Sequence, residues 1–338
     1  MAQGDRPTPS AHTPMAFARA IVLAYERRGL DPRTVLKKAQ IAPAQLRRVD
    51  ARINADQMEV LSGAAMQELD DEALGWFSRR LPWGTYGMLC RASLTAPTLR
   101  VALERWCRHH ALVTDDVRLR FDAVTGALTI EEHTRLGAMR ELCLLSCLRY
   151  VHGYACWLVD SQLPLRQVTF PFAPPAHARV YPLLFPGPVR FDASHAGLFV
   201  DTRYLDLQPR RDERAMSAML KRALPLTVRP YRRDRLLVRR VEALLASDAA
   251  ANGQRLAAAL HVSVRSLHRQ LGQEGASLQR IKDDVRRQRA LDLLARTQTP
   301  LKSIARQVGF RSEKSFSRAF KAWTGRSPGD LRATSTLM

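Results

Sequence analysis

The spacing of apolar residues changes period several times along the 338-residue chain, and each change predicts an element. Helical spacing comes first. Asp31 followed by Pro32 reads as the start of one helix, and Asn54 precedes another. A third begins near Pro97 and turns Leu99, Leu103 and Trp106 inward. Over 117–133 the period falls to two. Val117, Leu119 and Phe121 alternate with charged residues, AVTG turns the chain, and Leu128 and Ile130 alternate again, the pattern of a β-hairpin. Residues 138–159 form the most apolar helical stretch. Arg140, Glu141, Arg149 and His152 interrupt it, so it predicts a core helix and not a membrane span. LRQVTF (165–170), PVRF (188–191) and GLFV (197–200) predict short strands. Residues 1–13 read as a disordered tail and 14–207 as a mixed α+β domain without a repeat.

Residues 208–233 are charged and carry three prolines, which predicts the connection between domains. From 234 to 335 only helical spacing is found, predicting an all-α domain. Within QRLAAALHVSVRSLHRQL (254–271), Leu256, Ala257 and Leu260 make one apolar face. His261-Val262 turns the chain, Ser263 caps a second helix, and Leu267 and Leu271 point inward. The plan repeats over 301–320. Ile304, Ala305 and Val308 face in, Gly309 allows a tight turn, Phe310 plugs the junction, and Phe316 and Phe320 pack inward. Between these two helix-turn-helix patterns, 276–297 predicts one linker helix about 32 Å long. Successive major-groove faces on one side of DNA recur about 34 Å apart, so one chain can present two reading helices to neighbouring groove segments. In GFRSEKSFSRAFKAWTGRSP (309–328), Phe316, Phe320 and Trp323 form a buried stripe, and Arg311, Lys314, Arg318 and Lys321 an exposed basic one.

Composition sharpens this picture. Hydrophobic residues are 46% and charged residues 25%, ordinary for globular domains. The net charge of +21 points to a polyanionic partner, nucleic acid or an anionic surface. Residues 229–338 hold 23 Lys and Arg against 9 Asp and Glu, so the C-terminal part carries most of the excess, which argues for a dedicated binding module there. All five cysteines, Cys90, Cys107, Cys143, Cys147 and Cys156, lie in the N-terminal part; their odd number fits reduced thiols in the cytoplasm. The N-terminus lacks an apolar signal core.

Two stretches, VSVRSLHRQLGQEGASLQRIKDDVR (262–286) and IARQVGFRSEKSFSRAFKAWTGRSPGDLR (304–332), resemble the AraC/XylS family of transcriptional regulators. Leu331 stands where that family often has Tyr. The resemblance implies a double helix-turn-helix DNA-binding domain over 234–335. Family-matched base-contacting positions fall on Arg265, His268 and Arg269 of the first reading helix and on Glu313, Lys314 and Arg318 of the second. Arginines here suit guanine and Glu313 suits cytosine. Ser266, Lys302, Arg311, Ser315 and Ser317 are expected to hold phosphates.

The N-terminal part resembles the non-cupin, arabinose-binding-like effector domain of one branch of this family. The segments GLDPRTVLKKAQI (29–41), YGMLCRASLTAPTLRVALERW (86–106), FDAVTGALTIEEH (121–133) and LFPGPVRFDASHAGLFVDTRYLDL (184–207) carry it, in order. The resemblance makes 14–207 an effector-sensing and dimerisation domain. It implies a small-molecule effector, amino-acid-like or a fatty or other organic acid, and leaves homodimer formation open. Trp83, Tyr86 and Trp106 are the candidate effector contacts. His109-His110 reads as a helix-end pair and Cys143/Cys147 as buried thiols, so neither metal nor cofactor is expected. WCRHH (106–110) lacks the Pro-Cys-His-Arg setting of alkyl-repair proteins. No Gly-rich phosphate loop, G-x-S-x-G or HExxH occurs, so no catalysis is expected. The sequence therefore predicts a cytoplasmic, effector-controlled activator that binds double-stranded promoter DNA and RNA polymerase. The competing expectation is a sequence-independent architectural DNA binder.

Overall fold

The computed structural model describes residues 13–231, 236–274, 276–297 and 299–335. The expected tail, 1–13, lies outside these residues except for Thr13. That residue opens β1 (Thr13–Pro14) and pairs with Ile53 of β2 (Arg52–Ile53). The described chain divides into two compact units, one on each side of residues 232–235.

The first unit is mixed α+β. Helices α1 (Met15–Glu26), α2 (Arg33–Lys38), α3 (Pro43–Leu46) and α4 (Ala55–Glu68) come first. Asn54 caps α4 as its side chain promised, accepting from Gln57 N–H at 2.8 Å. Then follow α5 (Thr85–Leu94) and α6 (Leu99–His110), and on α6 Leu99, Leu103 and Trp106 are buried. The hairpin forms as β3 (Val117–Asp122) and β4 (Ala127–Glu132), with Leu119 opposite Ile130. The apolar stretch becomes α7 (Arg140–Leu158), in which 15 of 19 residues are buried; it is the central helix. After β5 (Leu165–Thr169), α8 (Tyr181–Leu184), β6 (Val189–Arg190) and β7 (Ala196–Val200), the sheet order is β3-β4-β7-β5-β6. Among the described strand pairs, only β5–β6 is parallel. Val117, Leu119, Leu128, Ile130, Val168 and Leu198 are all buried, the alternation of a half-buried sheet.

Residues 208–231, expected as a connection, belong to this unit. They form a strap carrying α9 (Glu213–Leu220) and α10 (Pro225–Val228), packed on α4, α5 and α7. Met216 is fully buried in that packing. Arg149, near the middle of α7, explains how the strap is held. Its guanidinium is buried and pairs with no carboxylate among the described residues. It donates instead to the carbonyls of Thr227 (2.8 Å), Leu184 (2.5 Å), Leu226 (3.2 Å) and Arg229 (2.6 Å). Burial lowers its pKa to about 10, so it stays charged at neutral pH. Gly153, one turn along α7, lets the strap approach, since a Cβ there would collide with the Leu226 carbonyl. Bonds from Arg222 to Glu59, Arg229 to Asp56 and Arg211 to Asp160 fasten the rest.

The second unit is all-α: α11 (Leu237–Ser247), α12 (Gly253–Ala259), α13 (Val264–Gln273), α14 (Leu278–Arg296), α15 (Leu301–Gln307), α16 (Glu313–Thr324) and α17 (Pro328–Ser335). It holds two small cores. Leu256, Ala257, Leu260, Leu267, Leu271, Leu278 and Ile281 meet in one; Ala290, Leu294, Ile304, Val308, Phe316 and Phe320 meet in the other. The two ends of α14 thus serve different cores. Trp323 is only half-buried, beside Phe310 at 5.8 Å, and Leu331 packs at the edge of the second core. Glu274 caps α11 from the end of α13, accepting from Leu237 and Val238 N–H at 2.8 and 3.0 Å.

Candidate functional site

The same device starts α13 and α16. Ser263 accepts from Ser266 N–H at 3.1 Å and donates to Ser266 Oγ at 3.0 Å. Ser312 does the same to Ser315, at 3.2 and 2.9 Å. Each cap satisfies one of the orphan donors of a helix start. The buried pairs Leu267/Leu271 and Phe316/Phe320 then fix how each helix is rolled. As a result Arg265, His268 and Arg269 on α13, and Glu313, Lys314 and Arg318 on α16, are exposed. Among the described residues none of these six side chains is hydrogen-bonded or ion-paired to another protein group. Lys302 and Arg311 are exposed and unpaired in the same sense. Ser266 and Ser315 belong to the caps and Ser317 is half-buried; each of these hydroxyls keeps a proton to donate.

Linker helix α14 is shorter than its sequence suggested, 19 residues or about 28 Å, because the chain enters it only after the cap Ser277. Its centre carries a second tie between the halves. Arg286 lies over the Phe310 ring at 5.1 Å, and its Nη2 donates to Ala249 O and Gly309 O, both at 3.4 Å. Ala249 sits between α11 and α12, while Gly309 is the turn between α15 and α16. Gly309 has φ +85°, and a Cβ there would lie 2.7 Å from Ala249 O. The corresponding turn of the first half uses His261, at φ +55°.

The first unit contains a cavity of about 480 Å³ walled by α4, α5, α7 and the strap. Trp83, Tyr86 and Tyr150 line it, as do Glu72 and Lys221. Trp106 does not; it is buried behind Tyr86, with ring centroids 5.7 Å apart. His109 and His110 end α6 and lie away from this cavity. Glu72 accepts from Gly84 N–H (2.7 Å) and Tyr86 N–H (2.6 Å), which fastens the start of α5. Burial holds its carboxyl above the usual carboxylate range. Glu59 and Arg91, also on the wall, are paired with Arg222 and Glu213. Sequence reading missed Glu72, Tyr150 and the whole strap wall. The glycines Gly63, Gly87 and Gly153, which clear space for Leu224, Leu220 and Leu226, were the available signal.

All five cysteines are buried, and none is joined in a disulfide among the described residues. Burial pushes the Cys90 and Cys143 thiols up, and Cys107 to about 12. Among the described residues no group of three His, Cys, Asp or Glu side chains is placed to hold a metal, and no helix is long and apolar enough to cross a membrane.

Residues 29–209 match the family described as the arabinose-binding domain of AraC transcription regulator, N-terminal part, and residues 256–334 match a helix-turn-helix domain family. An ornithine utilization regulator of Pseudomonas aeruginosa is 28% identical over 94% of this chain and 96% of its own length. An HTH-type transcriptional regulator of Mycobacterium bovis is 25% identical over 97% and 98%. The crystal structure of the transcriptional regulator CdpR from Pseudomonas aeruginosa aligns over 91% of this chain and 98% of that one, at 23% identity and a TM-score of 0.31.

Proposed function

Since this chain belongs to the AraC family of transcription regulators, an effector-controlled DNA-binding family and not an enzyme family, we propose that α13 and α16 read two neighbouring major-groove segments of a promoter. The observation that carries this reading is the pair of identically capped helices whose outward cations have no partner among the described residues. Arg265, Arg269 and Arg318 address guanine, Lys314 and His268 address neighbouring base edges, and Glu313 accepts from cytosine. Ser266, Lys302, Arg311, Ser315 and Ser317 hold phosphates and set the register. The protein acts in the cytoplasm as an activator that contacts RNA polymerase, with homodimer formation as a means of coupling.

The effector occupies the cavity lined by Trp83 and Tyr86. The strap that walls this cavity runs on in sequence to the second unit, which gives occupancy a covalent route to the DNA-reading half. The relative named for ornithine utilization supports an amino-acid-like effector over a fatty acid. Genome-wide occupancy in the native host tests the DNA reading, with an Arg269→Ala/Arg318→Ala double variant beside wild type. Discrete peaks that vanish in the variant are expected. Diffuse binding, equal in both, would instead indicate the architectural binder.

A further inference from the structure

The walls of the 480 Å³ cavity carry a specific charge pattern. Five charged side chains line it: Glu59, Glu72, Arg91, Lys221 and Arg222. Glu59 and Arg222 neutralise one another through two bonds, at 2.6 and 3.0 Å. Arg91 is paired with Glu213. Two are left. Glu72 has no cation among the described residues, and Lys221 has no anion. Glu72 already spends one lone pair of each oxygen on the N–H groups of Gly84 and Tyr86. A carboxylate has about four acceptor sites, so about two remain for a ligand. The rings of Trp83, Tyr86 and Tyr150 line the same cavity, and their faces attract cations. A half-buried carboxylate without a counter-ion, beside three aromatic rings, is a poor seat for an anion or an alkyl chain and a good one for an ammonium.

From this geometry we infer that the cavity takes a small amine whose protonated nitrogen is bound by Glu72 within the Trp83, Tyr86 and Tyr150 rings. Lys221, exposed on the strap, receives a carboxylate where the amine carries one. The inference rests on the effector reading of this cavity and gives that effector a chemical class. It also gives the strap a role. A ligand bridging Glu72 and Lys221 joins the body of the unit to the strap, so binding tightens a segment whose ion pairs at Arg222 and Arg91 lie on the surface.

The test is calorimetric titration of the full-length chain with L-ornithine, with putrescine, which lacks the carboxylate, and with valerate, which lacks the amine. The two amines are expected to bind, ornithine more tightly, and valerate not to bind. Glu72→Gln should weaken both amines by about tenfold or more. Because that variant also loses an acceptor at the start of α5, Trp83→Ala is made in parallel. Trp83 is half exposed, and its loss should weaken both amines by about threefold while leaving thermal unfolding unchanged. Preferential binding of valerate, no binding of either amine at 10 mM (roughly the weakest useful affinity scale), or equal amine affinity in wild type and both variants would overturn the inference. Promoter binding is measured on the same samples. Sequence-selective binding that persists while the amines fail removes the amine site and leaves the regulator reading standing. Amine binding without selective DNA binding supports the site and counts against that reading.

Discussion

Gly309→Ala separates holding α13 and α16, the two proposed reading helices, in register from forming them. An L-residue at φ +85° costs about 1–2 kcal/mol. The new Cβ would sit 2.7 Å from Ala249 O, inside the 3.4–4 Å of ordinary contact. The backbone at residue 309 and the Ala249 carbonyl must therefore part by roughly 0.7 Å or more, which also loosens the 3.4 Å bonds from Arg286 to the Ala249 and Gly309 carbonyls. The combined cost is roughly 2–3 kcal/mol, located between the two helix-turn-helix units and not within either core. Two sites on one rigid body bind as one; a misaligned second reader loses that advantage. The assay compares affinity for a promoter fragment holding both groove segments with affinity for one holding only the first, at a single salt concentration. The full site is expected to weaken by about 30-fold or more, and the half site by less than about twofold. Circular dichroism should show retained helix and a midpoint lowered by several degrees. Wild-type affinity for the full site together with a wild-type midpoint would refute the reasoning, since the contact would then hold nothing in place.

Other outcomes follow from the remaining features. Arg269→Ala or Arg318→Ala should each cost about 1–3 kcal/mol on the promoter and relax preference at one base pair, measured by competition with single-base variants; unchanged discrimination would reject the assignment. Arg149→Met leaves four part-buried carbonyls without their donor and should destabilise the first unit by about 3–5 kcal/mol in urea unfolding, and a loss below about 1 kcal/mol would contradict the clamp. His152 is buried and neutral, and burial lowers its pKa from 6.5 to about 4. The unfolded chain binds that proton first, so stability is full above about pH 6.5 and is lost as pH falls toward 4, by roughly 2 kcal/mol at pH 5. Urea unfolding at pH 7.5 and 5 should show a smaller acid loss in His152→Gln than in wild type; equal losses would exclude the histidine.

The legible parts were those set by local chemistry. The hairpin of 117–133, the apolar α7, the two turns at His261 and Gly309, and the inward Leu267, Leu271, Phe316 and Phe320 all follow from spacing over a few residues. The outward positions of α13 and α16 follow with them, because fixing one face of a helix fixes the other. The strap was not legible. Its charges and prolines read as a connection, yet Met216 is buried and Leu220, Leu224 and Leu226 close on glycines of three different helices. Those contacts span up to about 160 residues of sequence, beyond any local pattern. The cavity suffered for the same reason. Trp83 and Tyr86 are neighbours in sequence and share its wall, whereas Trp106 is large, buried and on the wrong side of Tyr86. Glu72 gave no sign of itself, because a lone carboxylate becomes notable only when nothing cationic is found beside it.

The grip of Arg149 on residues 226–229 also decides where this protein can be divided and recombined. The arabinose-binding-type match ends at residue 209, which makes that point look like the natural seam for exchanging the DNA-reading half between relatives. A hybrid joined there would inherit a foreign strap on a native helix. Arg149 would meet carbonyls placed for another partner, and Gly153 a backbone it was not shaped to admit. Joined after Tyr231, whose hydroxyl donates to Asp160 at 2.6 Å, the same hybrid keeps every bond of the clamp. Rearrangement of such regulators, by evolution or by hand, is therefore freest some twenty residues beyond the recognisable end of the sensing domain.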